Sequence, residues 1–433
     1  MQFGKNVLRF TAIALTQLVF IIDVAGAPIE RSAATSGQPW LIKGTRVYVG
    51  PDQPPLDNAW VLLRDGLIEA VGAGSVAPPA GVPMASACSG GIIAAGFQNS
   101  HVHFLENRFA NAATRPATEL ADALAGMLTR YGYTTVVDTG SALANTVALR
   151  QRIVDGAIDG PQILSTGMPL FPGDGIPIYL KHLPAELIRQ MPEPATVEEA
   201  TAIVRWNVAH GAKGTKLFAA SPMGDGKVQR MNAPIARAVA DETHRLGGLV
   251  MAHPTDPDGV RAAVSAGVDI VVHTTIDPPN SIWSDQLIAD MVAHRVSVIP
   301  TLKLWHYELN KENVPRDVQQ RIVGDAQTQL KRFVSSGGQV LFGTDVGYMS
   351  DADPREEYVL MAGAGMTAMQ ILASLTTAPA ARWHADTLRG RVAPGMAADL
   401  VVLDGDPAAD VKYFADVKCT VRAGRIIFAR DLH

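Results

Sequence analysis

The chain contains 433 residues, has a formal net charge of −5 at pH 7, and is 47% hydrophobic but only 18% charged. This composition is typical of a large globular enzyme with an extensive core and argues against a disordered chain. The sequence has no basic block and no stripe of basic and aromatic residues, so a nucleic-acid partner is not expected.

The N-terminal segment has the pattern of a secretory signal peptide. Lys5 and Arg9 precede an apolar stretch at residues 10–22, and small residues follow at 25–27. This pattern predicts a signal peptide at residues 1–27, and its apolar stretch is too short for a stable membrane span. We therefore expect an exported protein, periplasmic or secreted. An uncleaved anchor or a misassigned start site is the alternative, and without a signal peptide the protein would be cytoplasmic.

The two cysteines, Cys88 and Cys419, match no metal-binding spacing and no disulfide framework. A single bridge between them and two unpaired buried thiols are both compatible with the sequence. Of these two arrangements, the sequence slightly favours the unpaired thiols.

Both ends of the chain after residue 37 carry short apolar-polar alternations broken by glycine and proline, which predict antiparallel strands. The segments are "WLIKGTRVYVG", "AWVLLRDGLIEAVGAG", "ADLVVLDGDP" and "CTVRAGRIIFARD". In "RDGLIEAVG" and "RAGRIIFAR", a glycine turn joins two strands. We expect residues 38–91 and 388–433 to form one small β-sandwich domain built from both chain ends.

Residues 92–387 alternate between short apolar runs and helical or loop-rich stretches. Eight runs are candidate strands: "GIIAAGFQN", "YTTVVDTG", "QILSTG", "GTKLFAA", "GLVMAHP", "DIVVHTT", "VSVIPTL" and "QVLFGTD". Helical patterns such as "PIARAVADETHRLGG" and "DGVRAAVSAGV" lie between them. Eight strand–helix units predict an α/β fold with a (β/α)8 barrel of the TIM type, and a doubly wound sheet is the alternative.

Residues that can bind metal recur at the ends of the candidate strands, where a barrel has its active site. His101 and His103 stand two positions apart, so a strand would direct both imidazoles to one side. The fourth, fifth, sixth and eighth runs contribute Lys216, His253, His273 and Asp345. One such histidine is more often structural. Because imidazoles and carboxylates are ligands of divalent transition metals, the whole set predicts a metal site.

Lys216 is unusual in this set, because an ammonium group has no lone pair for a metal. It would become an anionic oxygen ligand, able to bridge two metals, if CO2 added to its amine and formed a carbamate. Lys213 is the rival lysine, but it lies in the turn that leads into the fourth run. We favour Lys216 because barrel chemistry is found at strand ends.

Together these motifs resemble the amidohydrolase superfamily, especially its imidazolonepropionase-like and metal-dependent prolidase-like branch. The resemblance covers nearly the whole mature chain and includes the tail "GRVAPGMAADLVVLDGDP". It implies two divalent metal ions, zinc by default, although Mn, Co or Fe can occupy such sites. A small homo-oligomer is also compatible with it. The implied ligands are His101, His103 and Asp345 for one metal, His253 and His273 for the other, and carboxylated Lys216 as the bridge.

The resemblance implies hydrolysis of an amide bond in a dipeptide, an N-acyl amino acid or a cyclic amide. A bound metal lowers the pKa of water from 15.7 to about 7. Asp345 would then act as the general base and acid, taking a proton from that water and passing it to the leaving amine. A lactone or phosphotriester hydrolase with the same ligands is the alternative. A non-catalytic binding protein is disfavoured, because it would be expected to have lost some ligands.

Residues just beyond the strand ends are candidates for binding a small-molecule amide or peptide substrate. They are Tyr179, Lys303, Trp305, His306 and Tyr348, with Tyr307 beside them. Glu357 follows the eighth run in a helical pattern, so we interpret it as a solvated charge. His244 also lies in a helical pattern and is interpreted as structural.

Overall fold

The structure is a computed structural model that describes residues 37–181, 185–276 and 282–432. The signal peptide predicted at residues 1–27 lies outside the described residues. Within the described ranges, no helix is long and apolar enough to cross a membrane.

Strands and helices alternate along most of the described chain. The strands are β1 (Trp40–Val47), β2 (Leu56–Arg64), β3 (Leu67–Ala73), β4 (Ile92–Ala95), β5 (Phe97–Val102), β6 (Tyr133–Asp138), β7 (Gln162–Ser165), β8 (Gly214–Phe218), β9 (Ala220–Gly224), β10 (Lys227–Arg230), β11 (Leu249–His253), β12 (Ile270–Val272), β13 (Ser297–Ile299), β14 (Leu400–Leu403), β15 (Val417–Arg422) and β16 (Arg425–Ala429). The α-helices are α1 (Ala117–Met127), α2 (Leu143–Val154), α3 (Ala185–Ile188), α4 (Val197–Ala209), α5 (Ala233–Arg245), α6 (Pro257–Ala266), α7 (Asp285–Ala293), α8 (Leu302–Lys311), α9 (Arg316–Ser335), α10 (Arg355–Gly363), α11 (Ala368–Leu375) and α12 (Thr377–Arg382).

One seven-stranded sheet is built from both ends of the described chain, in the order β16-β15-β14-β4-β1-β2-β3. Its buried side chains form one core, to which the N-terminal strands contribute residues such as Ile42 and Val61 and the C-terminal strands Val402 and Val421. The predicted β-domain from the two chain ends is therefore present. Its strands are hydrogen-bonded into one continuous sheet rather than two separate ones.

Two tight turns in this sheet follow the predicted glycine patterns. The turn between β2 and β3 contains Asp65 and Gly66, and the turn between β15 and β16 contains Ala423 and Gly424. All four residues have positive φ angles. Two-residue hairpin turns of this kind match the right-handed twist of the flanking strands, which is why a glycine is favoured in them.

A disulfide bond joins Cys88 to Cys419 in the core of this sheet. Their Cα atoms are 5.2 Å apart, which is within the usual range for a disulfide. The interpretation of two unpaired thiols is therefore wrong. The cysteines are 331 positions apart in the sequence, and only the packing of β15 against the segment that precedes β4 brings them together.

Two parallel sheets carry the central strands, in the orders β5-β6-β7 and β13-β12-β11-β8. The parallel bridge Leu170–Leu217 connects the segment after β7 to β8. The bridges Val298–Val340 and Val102–Val346 connect the region of the eighth run (residues 339–345) to β13 and β5. Helices follow the parallel strands along the chain, as the predicted TIM-type fold requires.

Two of the predicted strands differ from the sequence expectation. The run "GIIAAGFQN" is divided at Gly96 into β4, which belongs to the seven-stranded sheet, and β5, which belongs to the barrel. A Cβ atom at position 96 would lie 2.3 Å from Thr134 Oγ1, so the passage between the two sheets requires glycine. The eighth run is not a regular strand, because it pairs only through isolated bridges such as Val298–Val340. Asp345 at its end has a positive φ of 63°.

Removal of the disulfide should destabilise the fold. We expect Cys88→Ala combined with Cys419→Ala to lower the free energy of unfolding by about 2–5 kcal/mol, because the bridge restricts the unfolded chain. Denaturant titration without reductant measures this difference. A reductant should lower the stability of the parent toward that of the double variant and leave the variant unchanged. Equal stability of parent and variant without reductant would contradict the prediction.

Candidate metal centre

The first barrel strand supplies two histidines to one point. β5 ends at Val102, so His101 lies in the strand and His103 directly follows it. Their Nε2 atoms are 3.2 Å apart, and His101 is only 1% exposed. The side-chain oxygen of Asn99 accepts a hydrogen bond from the His101 backbone N–H over 3.1 Å. The two-residue period of the strand therefore brings both imidazoles to the same side.

Asp345 reaches these histidines from the end of the eighth run. Its Oδ1 lies 3.1 Å from His101 Nε2 and 2.9 Å from His103 Nε2. The backbone N–H of Asp345 donates to the His101 carbonyl over 2.9 Å, and His103 N–H donates to the Val346 carbonyl over 2.8 Å. A Cβ atom at Gly343 would lie 2.8 Å from the Cβ of His101. This close approach therefore requires glycine at position 343.

Two further histidines adjoin this group. His253 is the last residue of β11, and His273 directly follows β12. The ring centroid of His273 lies 5.1 Å from that of His101 and 4.9 Å from that of His253. In the described ranges, the ligand atoms that all lie within 4.8 Å of one another are those of His101, His103 and Asp345. His253 and His273 therefore lie next to this group of three residues but outside it.

Thr301, a residue that no sequence motif indicated, forms a hydrogen bond with His273. Thr301 Oγ1 lies 2.6 Å from His273 Nδ1 and donates to the Pro300 carbonyl over 2.9 Å. A hydroxyl has one proton, so Thr301 accepts at its other contact, from His273 Nδ1–H. This tautomer leaves the Nε2 lone pair of His273 available to a metal. His273 and Thr301 both have positive φ angles, 78° and 44°.

Lys216 is the central residue of β8 and is 3% exposed. Burial lowers the pKa of its amine to about 7, although the charge of Asp345 opposes the shift. Its Nζ lies 6.0 Å from the ring centroid of Phe218, and that ring stacks on His253. Lys213 is exposed and precedes β8. Of the two lysines, Lys216 is therefore the one with a buried amine that can be neutral at physiological pH.

Burial and mutual contact determine the protonation states of the cluster formed by these histidines and Asp345. Burial lowers the pKa of His101 to about 3 and holds the pKa values of His253 and His273 well below their usual range. Burial would raise the pKa of Asp345, but His101 and His103 outweigh it and hold that pKa well below its usual range. At neutral pH the cluster therefore combines the neutral imidazoles of His101, His253 and His273 with the ionised carboxylate of Asp345.

This donor set fits a divalent transition metal. Zinc bonds to nitrogen and oxygen are about 2.0–2.2 Å long, so the ligand atoms of a tetrahedral site lie about 3.4 Å apart. The corresponding atoms of His101, His103 and Asp345 are 2.9–3.2 Å apart. Asp345 Oδ1 is buried and makes no well-oriented hydrogen bond despite these contacts. Three polar atoms this close together, each able to offer a lone pair, are expected of side chains that face a common cation.

A comparison with known protein families identifies the family of this chain. Residues 92–427 match the model of the Amidohydrolase family. The chain belongs to the amidohydrolase family. As the motifs predicted, it is a hydrolase that acts on amide bonds.

Solved structures also resemble this amidohydrolase. Ochratoxinase from Aspergillus niger is 23% identical over 415 residues, which cover 87% of this chain and 84% of that protein. Its crystal structure has a TM-score of 0.75, with 20% identity, 91% of this chain covered and 96% of that chain. A Xaa-Pro dipeptidase with bound methionine has a TM-score of 0.75, with 19% identity, 90% of this chain covered and 100% of that chain. These likenesses confirm the predicted fold.

Two of the predicted pocket tyrosines belong to a row near the centre of this amidohydrolase. The tyrosine row consists of Tyr179, Tyr348 and Tyr307, with ring centroids 5.7 Å apart for the first two and 6.5 Å apart for the last two. Burial, and then the charge of Asp345, raises the pKa of Tyr179, so its hydroxyl stays protonated. Trp305 lies 6.0 Å from the ring of His273. Trp305 and Tyr179 therefore lie near the histidine–aspartate cluster.

Lys303 and His306 are engaged by acidic residues. Lys303 is 5% exposed, and its ammonium group lies 2.7 Å from Asp351 Oδ2. His306 Nδ1 lies 2.5 Å from Glu356 Oε1. The four residues line a cleft of about 370 Å³. Both basic side chains are therefore paired with carboxylates of this cleft.

Glu357 is buried, so its interpretation as a solvated charge is wrong. It is 1% exposed, and its carboxylate accepts hydrogen bonds from Leu302 N–H over 2.9 Å and Lys303 N–H over 2.7 Å. Burial raises its pKa to about 7, although these two amides oppose the shift. The periodic pattern of the sequence predicts helix α10, but it does not predict which element packs against that helix. The packing of α10 against the start of α8, which buries Glu357, has no signal in the sequence.

The depressed imidazole pKa values predict acid sensitivity of the metal-free protein. His101, His253 and His273 titrate below their ordinary value of 6.5 in the folded chain. The unfolded chain therefore binds more protons below pH 6.5, and stability should fall as the pH falls from about 6.5 toward 3. Near pH 5 the slope should correspond to an uptake of about three protons by these imidazoles on unfolding.

Denaturant titrations of metal-free protein at several pH values measure that slope. His101→Asn should reduce the proton uptake by about one. His294→Asn, which replaces an exposed histidine, should keep the parental pH dependence. An unchanged slope for His101→Asn would show that this imidazole does not contribute as described.

Proposed function

We propose that this amidohydrolase is a metal-dependent enzyme with two divalent cations, zinc in the first instance. The observation that carries the proposal is the convergence of His101, His103 and Asp345, whose ligand atoms lie within 4.8 Å of one another. When bound, divalent cations supply Lewis acidity, which acidifies water and polarises a carbonyl oxygen. In this proposal His101, His103 and Asp345 hold one cation, and His253 and His273 hold the other.

Lys216 is proposed to join the two halves of the site as a carbamate. Its nitrogen would attack the carbon of CO2 and lose one proton, which leaves an anionic group with two oxygens. This step requires a neutral amine, and the buried Lys216 has a pKa of about 7. A protonated lysine among four histidines would repel cations, whereas the carbamate adds negative charge where cations are to be held.

Asp345 is proposed to move the proton during hydrolysis. Its pKa lies well below the usual range because His101 and His103 outweigh the effect of burial, so the carboxylate is ionised and able to accept a proton. The proton accepted from the attacking water would then pass to the nitrogen of the leaving amine. Help of this kind contributes roughly 10²–10⁴-fold to a rate.

We propose that the tyrosine row binds the part of the substrate next to the scissile amide. Lys311 Nζ lies 5.4 Å from the ring of Tyr307 and 5.3 Å from that of Tyr348, and 3.0 Å from Glu308 Oε1. The row therefore offers aromatic surface and ends beside a cation. Such a surface suits a dipeptide, an N-acyl amino acid or a cyclic amide. The names of the relatives, an ochratoxinase and a Xaa-Pro dipeptidase, are consistent with such substrates.

We further propose that the protein is exported. Disulfides persist in oxidising compartments and are rare in the cytosol. The buried Cys88–Cys419 bridge supports the interpretation of residues 1–27 as a signal peptide. Fractionation of producing cells, followed by N-terminal sequencing of the mature chain, tests this proposal. Cytosolic protein with an intact N-terminus would contradict it.

Metal removal and a substrate panel test the main proposal. Purified protein should contain up to two divalent ions per chain, lose hydrolysis on treatment with a strong chelator, and regain it with Zn²⁺. The panel should contain dipeptides, N-acyl amino acids, cyclic amides, lactones and phosphotriesters, and we expect the highest kcat/KM for an amide. Full activity without metal would refute the metal-dependent mechanism. A preference for lactones or phosphotriesters would assign the other reaction class.

The two lysines provide matched variants for the bridging role. Lys216→Ala should bind less metal and lose activity, and short carboxylic acids should restore part of both. Lys213→Ala removes an exposed lysine three positions earlier and should keep metal and activity. Normal metal content in Lys216→Ala would remove this residue from the site.

Replacement of Asp345 by asparagine separates proton transfer from metal binding. The amide keeps the size and one oxygen of the carboxylate but cannot accept the proton, so kcat per metal-loaded site should fall by roughly 10² or more. Asp399→Asn changes another buried carboxylate, which accepts a bond from Ala423 N–H, and should keep the parental kcat. An unchanged kcat in fully loaded Asp345→Asn would leave the general base unidentified.

A further inference from the structure

Glu357 occupies the position of a missing helix cap. The first N–H groups of a helix have no partner within the helix and usually bond to a side chain at the N-cap. The N-cap of α8 is Thr301, whose hydroxyl makes no capping bond. The carboxylate of Glu357, on α10, accepts from Leu302 N–H and Lys303 N–H instead. A negative charge is also favoured at this end of a helix.

The residue at this helix start is held in an uncommon backbone conformation. Thr301 has φ 44° and ψ 50°, which is the left-handed region. This conformation is strained for a β-branched residue and persists only where the surroundings impose it. The two bonds from Glu357 fix the residues that immediately follow Thr301. They therefore hold the backbone from which the Thr301 side chain projects toward His273.

The hydroxyl of Thr301 in turn determines the tautomer of His273. It donates to the Pro300 carbonyl and so receives the proton of His273 Nδ1–H. If Thr301 turned away, His273 would lose its Nδ1 partner and could place its proton on Nε2. An imidazole protonated on Nε2 has no lone pair there for a metal.

We infer that Glu357 is a positioning residue for the metal centre, which acts through the first turn of α8 and the Thr301 hydroxyl to fix the tautomer and orientation of His273. The inference rests on the proposed role of His273 as a metal ligand. It assigns to a buried carboxylate outside the ligand set a contribution to metal affinity. Partners that orient ligating histidines typically contribute 10–100-fold to metal affinity or activity.

The alternative is that Glu357 only stabilises the packing of α8 on α10. Both roles predict that Glu357→Gln lowers stability, because the amide can accept only one of the two bonds and places its NH2 group against the other N–H. Metal affinity separates the two roles. A purely structural residue changes unfolding without changing the affinity of the folded protein for a cation.

The experiment first measures the affinity of chelator-treated, folded protein for Zn²⁺, with a chromophoric chelator as competitor. It then measures the absorption spectrum of the Co²⁺ form. Glu357→Gln and Thr301→Val should each weaken the more weakly held cation by roughly 10–100-fold and alter the Co²⁺ spectrum. Thr301→Ser keeps the hydroxyl and should bind as the parent does. The double variant should lose no more affinity than Thr301→Val alone, because both changes break the same link.

Glu242→Gln is the matched control. Glu242 is also a buried helical carboxylate that accepts from two donors, the side chains of Arg205 and Arg245. Its replacement should lower stability and leave Zn²⁺ affinity unchanged. Parental affinity and spectrum in Glu357→Gln, or fully additive losses in the double variant, would overturn the inference. If the parent itself bound no metal, the proposed function would fail instead.

Discussion

The candidate metal centre depends on the close backbone pairing between β5 and the end of the eighth run. The amide of Asp345 bonds to the carbonyl of His101, and this bond sets the carboxylate against the imidazoles of His101 and His103. The pairing is only as close as Gly343 allows, because any side chain there would meet His101. The main chain therefore fixes how these three side chains converge.

That pairing also forces ionisable groups out of water. Burial of a lone carboxylate is costly, and the adjoining histidines offset this cost for Asp345 by holding its pKa low. The same burial keeps the imidazoles of His101, His253 and His273 neutral and so able to act as ligands. Positive φ angles at His273, Thr301 and Asp345 add backbone strain, which the surrounding hydrogen bonds hold in place. The site is therefore maintained by the rest of the barrel rather than by its own contacts.

Local patterns predicted the elements but not how they pack against each other. The spacing of His101 and His103 works because a strand has a period of two, and the strand–helix alternation gave the fold class for the same local reason. The division of the first run at Gly96 depends on a contact with Thr134 from another strand. The cysteine bridge and the burial of Glu357 likewise depend on neighbours that are distant in the sequence.

The residues of the proposed chemistry and of the proposed substrate contacts lie on different parts of the chain, with one exception. His101, Lys216 and His253 lie on strands, whereas Tyr179 and Tyr348 lie in the connections beyond them, which can vary without disturbing the strands. Helix α8 is the exception, because it carries Tyr307 and its first turn follows Thr301, the partner of His273. A change that reshapes the pocket through α8 would therefore also reach a proposed metal ligand. The buried carboxylate on α10 limits that movement by holding the helix where it begins.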